Sequence, residues 1–218
     1  MMVLQACIFD LDGVIVDTAK YHYLAWGEIA RELGFEFTIR DNEKLKGVSR
    51  MQSLDILLHV GGISLDPDKK AELAEKKNNI YLSYIYKMTK DEILPGVTDF
   101  LTELKRNKVK TALGSASKNA PLILSRLGIE SLFDVVVDGN KVAHAKPDPE
   151  VFVVGAKELK IGNENCVVFE DAEAGIEAAI RAGMKCVGVG DIQTLGKANT
   201  VIQGFENFSL DKLMKLIN

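Results

Sequence analysis

Cysteine is scarce. The 218-residue chain holds three, Cys7, Cys166 and Cys186, with neither a paired spacing nor a metal-ligand spacing. Each falls in or beside an expected strand, so the three read as small buried hydrophobes in a reducing compartment, and the cytoplasm is the expected location. The first apolar run has no basic lead and is cut short by Asp10, so no signal peptide is expected. No stretch approaches the roughly 18 uninterrupted apolar residues of a membrane helix. Basic charge is not in excess: 27 Lys and Arg face 31 Asp and Glu, for a net charge of −4. That balance excludes a general nucleic-acid binder and leaves room only for a local cationic pocket suited to a small anion. Repeats, low-complexity tracts and a glycine-rich phosphate loop are also lacking. What is there is a globular composition, 47% hydrophobic and 27% charged.

The informative stretch is Val3–Thr18, VLQACIFDLDGVIVDT. Its apolar run to Phe9, closed by Asp10, Asp12 and Gly13, reads as a buried strand of a parallel sheet. Alternation puts Asp10 and Asp12 on one side, at the carboxyl end of the strand, where open α/β sheets bind ligands. Two carboxylates so close repel. Either a cation relieves the repulsion or one carboxyl keeps its proton, which gives a metal site or an acid/base.

From Ala19 to about Glu92 the pattern is helical. Tyr23, Trp26, Ile29, Ala30 and Leu33 recur at helix spacing up to Gly34. Ser49 caps a second helix, and Asp66-Pro67 opens a third that runs to about Lys87. Thereafter strands (Val109–Gly114, Phe133–Val137, Cys166–Phe169, Cys186–Val189) alternate with helices starting near Pro95, Ala120, Pro149, Ala172 and Leu210. The expected fold is α/β, a parallel sheet with helices on both faces. Its core is split into residues 1–16 and 93–218 around an all-helical insert, 17–92, that closes over the crevice as a lid.

Polar residues gather at the strand ends. Beside Asp10 and Asp12 stand Ser115, Ser117, Lys118 and Asn119 after the second strand, and Glu170 with Asp171 after a later one; Lys146 lies in a loop before Pro147. Each alone has a plain structural explanation. The serines are most simply helix caps, Lys146 a solvated charge, and Glu170-Asp171 a complement to a helix dipole. Together, hard carboxylate oxygens suited to Mg²⁺ and a lysine and hydroxyl suited to phosphate oxygens describe a phosphoryl-transfer site.

DLDGV, LGSASKN, AKPDP and FEDAEAG, in that order, resemble the four motifs of the haloacid dehalogenase superfamily of phosphotransferases over the whole chain. The resemblance implies a Rossmann-like core with a helical cap inserted after the first motif. It implies that Asp10 is the nucleophile and Asp12 the general acid/base. Mg²⁺ would be bound by Asp10, the backbone carbonyl of Asp12, Glu170 and Asp171, with Ser115 and Lys146 on the transferring phosphoryl group. Within the superfamily the cap motifs DTAKYHYLAW, LKGVSR and EKKNN are similar to those of the β-phosphoglucomutase family, which interconverts β-glucose 1-phosphate and glucose 6-phosphate through a bisphosphate. A bisphosphate needs a second cation, and Arg50 in the cap is that candidate. The resemblance completes this distal site with Ser117, Lys118 and Asn119. It also implies that His22 and Lys77 help the cap close and that Thr18 sits at the hinge. His22 equally reads as a core histidine, and Trp26 reads as cap core before sugar platform. The expected partner is a small phosphorylated sugar, acted on by a monomer. The rival reading is a phosphatase of small phosphorylated metabolites.

Overall fold

The computed structural model describes residues 3–217. Six strands, β1 (Ala6–Phe9), β2 (Lys110–Gly114), β3 (Val135–Val137), β4 (Cys166–Glu170), β5 (Lys185–Val189) and β6 (Thr200–Ile202), form one sheet. Their order is β3-β2-β1-β4-β5-β6, and every neighbouring pair is parallel. Parallel neighbours need crossovers long enough to hold a helix. Helices α1 (Ala19–Glu32), α2 (Ile39–Glu43), α3 (Arg50–Val60), α4 (Pro67–Ile85) and α5 (Val97–Arg106) lie between β1 and β2. Further along come α6 (Ala120–Leu127), α7 (Glu150–Leu159), α8 (Glu173–Arg181), α9 (Ile192–Leu195) and α10 (Leu210–Ile217).

Every residue of β1 is buried, because helices cover both faces of the sheet. Alternation sends Cys7 and Phe9 to the face packed by α5, α6 and α10, and Ala6 and Ile8 to the face packed by α7 and α8. Phe9 stacks on Phe169 at 4.8 Å between ring centroids, and Phe100 meets Phe9 edge-on at 6.2 Å. This aromatic contact locks β1 beside β4, the two strands whose ends carry Asp10 and Glu170.

The helices before α5 have a core of their own. Trp26, Ile29, Leu54, Leu57, Leu58 and Leu73, from α1, α3 and α4, form a cluster separate from the two that flank the sheet. Local signals set its helix starts. Ser49 and Gln52 close a capping box, and the Asp66 carboxylate accepts from the Lys69 N–H at 2.9 Å ahead of Pro67. The chain enters and leaves this segment at neighbouring points. Val16 bridges both Asp12 and Ile93, and the Leu94 N–H donates to the Ile15 carbonyl at 2.9 Å.

Several boundaries differ from expectation. The first strand begins at Ala6, where pairing with Lys110 begins, and Val3 is exposed. The third strand begins at Val135, not Phe133. The sequence pattern does not reveal α2, α9 or β6, which have five, four and three residues and offer no full period to read. Gly114 lets α7 sit close on the sheet, since a Cβ there would come 2.9 Å from Phe152 and 3.3 Å from Ile8.

Candidate active site

The end of β1 holds Asp10, whose N–H donates to the Phe169 carbonyl at 2.9 Å, and the adjacent end of β4 holds Glu170. Asp10, Glu170 and Asp171 each offer a carboxylate oxygen within 4.8 Å of one another. Lys146 reaches this cluster from its loop. Its ammonium pairs with Asp10 and, at 2.7 Å, with Glu170, and neither Lys146 nor Glu170 touches solvent to any useful extent. Burial opposes the charge on Lys146, but Asp10 and Glu170 outweigh it and raise its pKa. Burial and the neighbouring Glu170 and Asp10 raise the pKa of Asp171 well above the ordinary range.

Two glycines make the space. At Gly13, with φ +82°, a Cβ would lie 2.1 Å from Asp171 Oδ2. At Gly175 a Cβ would lie 1.7 Å from Glu170 Oε1, so the start of α8 must be bare to admit that carboxylate. The donor set is all hard oxygen and carries more negative charge than Lys146 balances, which fits a divalent cation.

Asp12, two residues on, turns to Thr18 instead, whose hydroxyl donates to its Oδ1. Burial and the nearby Asp10 push the Asp12 pKa up to about 7, against the lowering effect of Thr18, Lys146 and Lys77. That value suits a group which must both take and give a proton near neutrality.

A cavity of about 1090 Å³ lies between the sheet edge and the helical segment. Asp10, Asp12, Asp171, Ser115 and Lys146 line it from the sheet side, with Ser117, Lys118 and Asn119 beside them. His22, Trp26, Arg50 and Lys77 line it from the helices. Glu170 and Thr18 are buried behind its wall. The serines do not cap α6. Ser115 Oγ accepts from the Ser117 N–H at 3.1 Å and Ser117 Oγ from the Asn119 N–H at 3.2 Å, which shapes the loop ahead of the helix.

On the helical side, Lys77 Nζ stands 2.9 Å from His22 Nδ1 and 4.8 Å from the Trp26 ring centroid. Burial first, and then Arg50, push the Lys77 pKa down to about 7. Burial, with Lys77 and Arg50, holds His22 well below its usual value, so it is neutral. It is not a satisfied core histidine, since its buried Nε2 has no partner among the described residues. Trp26 belongs to the helical core and shows an edge to the cavity. His144 is exposed, with Nδ1 3.1 Å from Glu150.

Two residues not singled out from sequence also reach the cavity. Lys46 pairs with Glu43 at 2.9 Å and approaches Asp171 at 3.7 Å. Asn78 accepts from Arg50 Nη2 at 2.8 Å and from Asn119 Nδ2 at 2.9 Å. Their only sequence signal was membership of the motifs LKGVSR and EKKNN.

A family model of haloacid dehalogenase-like hydrolases matches residues 4–183. The chain belongs to this family. It is 43% identical over 212 residues to the β-phosphoglucomutase of Bacillus subtilis, covering 96% of this chain and 94% of that protein. It is also 34% identical to a fructose-1-phosphate phosphatase of Escherichia coli, over 84% of this chain and 94% of the other. Among solved structures, the β-phosphoglucomutase of Clostridium difficile superposes with a TM-score of 0.94 at 44% identity, covering 98% of this chain and 96% of that one. The six-stranded parallel sheet with its helical layers is therefore the family's α/β fold.

Proposed function

We propose that this chain interconverts β-glucose 1-phosphate and glucose 6-phosphate by moving a phosphoryl group through Asp10. The observation that carries the reading is the pair of cationic ends in one cavity: Lys146 beside Asp10, and Arg50 with Asn119 away from that cluster. A bisphosphate needs both ends, and simple hydrolysis of one phosphate needs only the first. The 43% identity to a β-phosphoglucomutase supports the same reading.

In this reading Asp10 attacks phosphorus and carries the phosphoryl group, with Lys146 and Ser115 against its oxygens. Asp12 takes the proton from the sugar hydroxyl that receives the group; the bisphosphate turns over, Asp10 takes the other phosphoryl group, and Asp12 returns the proton to the oxygen that leaves. Arg50, Ser117, Lys118 and Asn119 grip the second phosphate while the first reacts. Asp10, the backbone carbonyl of Asp12, Glu170 and Asp171 would hold Mg²⁺, which when bound supplies charge neutralisation for the phosphoryl oxygens. Residues 17–92 act as a cap that turns about its adjacent entering and leaving strands and excludes water; Thr18 presents Asp12, and His22 and Lys77 meet the sugar phosphate. The three cysteines are buried and free, which supports work in the cytoplasm. The large exposed apolar side chains, such as Ile39, Met51 and Ile192, stand in separate elements, which supports a monomer.

The test is an assay with Mg²⁺ on β-glucose 1-phosphate, primed with a bisphosphate, reading glucose 6-phosphate and free phosphate together, with the α-anomer as control. Glucose 6-phosphate from the β-anomer with little free phosphate is the expected result. Free phosphate without the isomer would favour a sugar-phosphate phosphatase, the reading supported by the 34% identity to a fructose-1-phosphate phosphatase. The Asp10→Asn variant should form no phosphoenzyme.

A further inference from the structure

Beyond the Thr18–Asp12 contact at the junction, two polar side-chain contacts among the described residues join the helical segment to the core across the cavity. One is Lys46 with Asp171, and the other runs through Asn78. Asn78 is half-buried on α4, one residue after the buried Lys77. Its carboxamide oxygen receives two donors at once, Arg50 Nη2 from α3 and Asn119 Nδ2 from the loop after β2. Arginine has no acceptor, so the oxygen of Asn78 must face it, and the amide of Asn119 must then turn its NH₂ inward. One oxygen thus fixes both neighbours.

A guanidinium holds phosphate well only when its planar fork is aimed, and Arg50 rises from the first turn of a helix on a long, rotamer-rich side chain. Asn78 takes one N–H of that fork, and the guanidinium makes no other hydrogen bond among the described residues while Arg50 lines the cavity. Because it is a neutral acceptor, it aims the cation without cancelling the charge. A carboxylate at the same place would form a charge-assisted pair and draw the guanidinium away from a phosphate.

Resting on the proposed function above, we propose that Asn78 is the positioning residue of the distal phosphate site. It ties Arg50 of the cap to Asn119 of the core so that the two grip the far phosphate of a sugar bisphosphate as one unit. It touches neither Asp10 nor the phosphoryl group in transfer, so its effect is confined to ligands with a second phosphate.

The test uses the Asp10→Asn protein in saturating Mg²⁺, so that nothing turns over, titrated with glucose 1,6-bisphosphate and, separately, with inorganic phosphate. Adding Asn78→Ala should weaken bisphosphate binding about tenfold and phosphate binding less than about twofold. Asn78→Asp keeps the size and both acceptor contacts. It should melt with the parent and still lose about tenfold for the bisphosphate, because its charge neutralises Arg50. A merely structural bridge would leave that variant at parental affinity, and this result would overturn the proposal. Equal losses for both ligands from Asn78→Ala would do the same. If the parent does not prefer the bisphosphate over phosphate, the distal site and the proposal fall together. If it does, while the wild-type chain forms no glucose 6-phosphate, only the mutase reading falls.

Discussion

Lys146 Nζ stands 2.7 Å from Glu170 Oε1, 24 residues apart in sequence, and both side chains are sealed from solvent. A buried pair is a weak source of net stability, but removing one partner strands the other's charge. Lys146→Ala should therefore cost about 3–5 kcal/mol in urea unfolding at pH 7 without divalent cations. The deficit should shrink on acidification, as the stranded carboxylates take up protons. A loss below about 1 kcal/mol would show that the acidic cluster does not depend on this lysine.

Mg²⁺ should substitute for part of that compensation. Adding the ion at ten times its dissociation constant should stabilise the wild-type chain by about 1.4 kcal/mol, and a chelator should reverse the gain. Gly175→Ala places a methyl where Glu170 Oε1 now lies and is free of backbone strain, since Gly175 does not have positive φ. The displaced carboxylate should weaken Mg²⁺ about 10–100-fold, read as the shift of the melting curve with ion concentration. An unchanged shift would exclude Glu170 as a ligand.

Lys77 makes stability depend on pH. Its folded pKa, about 7, lies below the ordinary 10.5, because burial, with Arg50, disfavours the charged form. The unfolded chain therefore binds more protons between those values, and stability rises with pH across them; below pH 7 the penalty is complete. From pH 7 to 8.5 the rise should be about 1.5 kcal/mol. His22 titrates below this window, because its folded pKa is depressed from 6.5. Lys77→Met should flatten the rise and raise stability at pH 7, as measured by urea unfolding at both pH values. Parallel slopes for the two proteins would mean that Lys77 is not buried as a charge.

Arg50→Lys keeps the charge and loses the fork. It should lower mutase turnover by at least about tenfold while changing hydrolysis of a simple aryl phosphate about twofold or less, because a point charge cannot grip phosphate with two aligned bonds. Equal losses in the two assays would remove Arg50 from the distal site.

Legibility from sequence followed locality. Residues fixed by their own segment were readable. Asp10 and Asp12 followed a buried run, Ser49 and Asp66 marked helix starts, and Glu170-Asp171 ended a strand. The short α2, α9 and β6 were not, because three to five residues cannot display a period. Contacts made across the fold left no local trace at all. Asn78 looks like any polar residue on a helix until Arg50 and Asn119 meet on its oxygen, and Lys46 like any surface lysine until Asp171 is seen beside it. The serines misled for the opposite reason: their preference for caps is real, but here they serve the loop one turn earlier.

The central strand has an awkward place in the order of synthesis. Among the described strands β1 comes first in the chain, yet its partners β2 and β4 begin at Lys110 and Cys166. Contacts of such long sequence separation form late, since the intervening loop must close before any pairing compensates. The helical segment has an apolar cluster of its own, which can collapse locally before then. Asp10 and Glu170 are thus brought together only by a pairing of long sequence separation. Chains that stop short of β4 carry Asp10 without Glu170 and Asp171, so the carboxylate cluster exists only once β4 has been made and paired with β1.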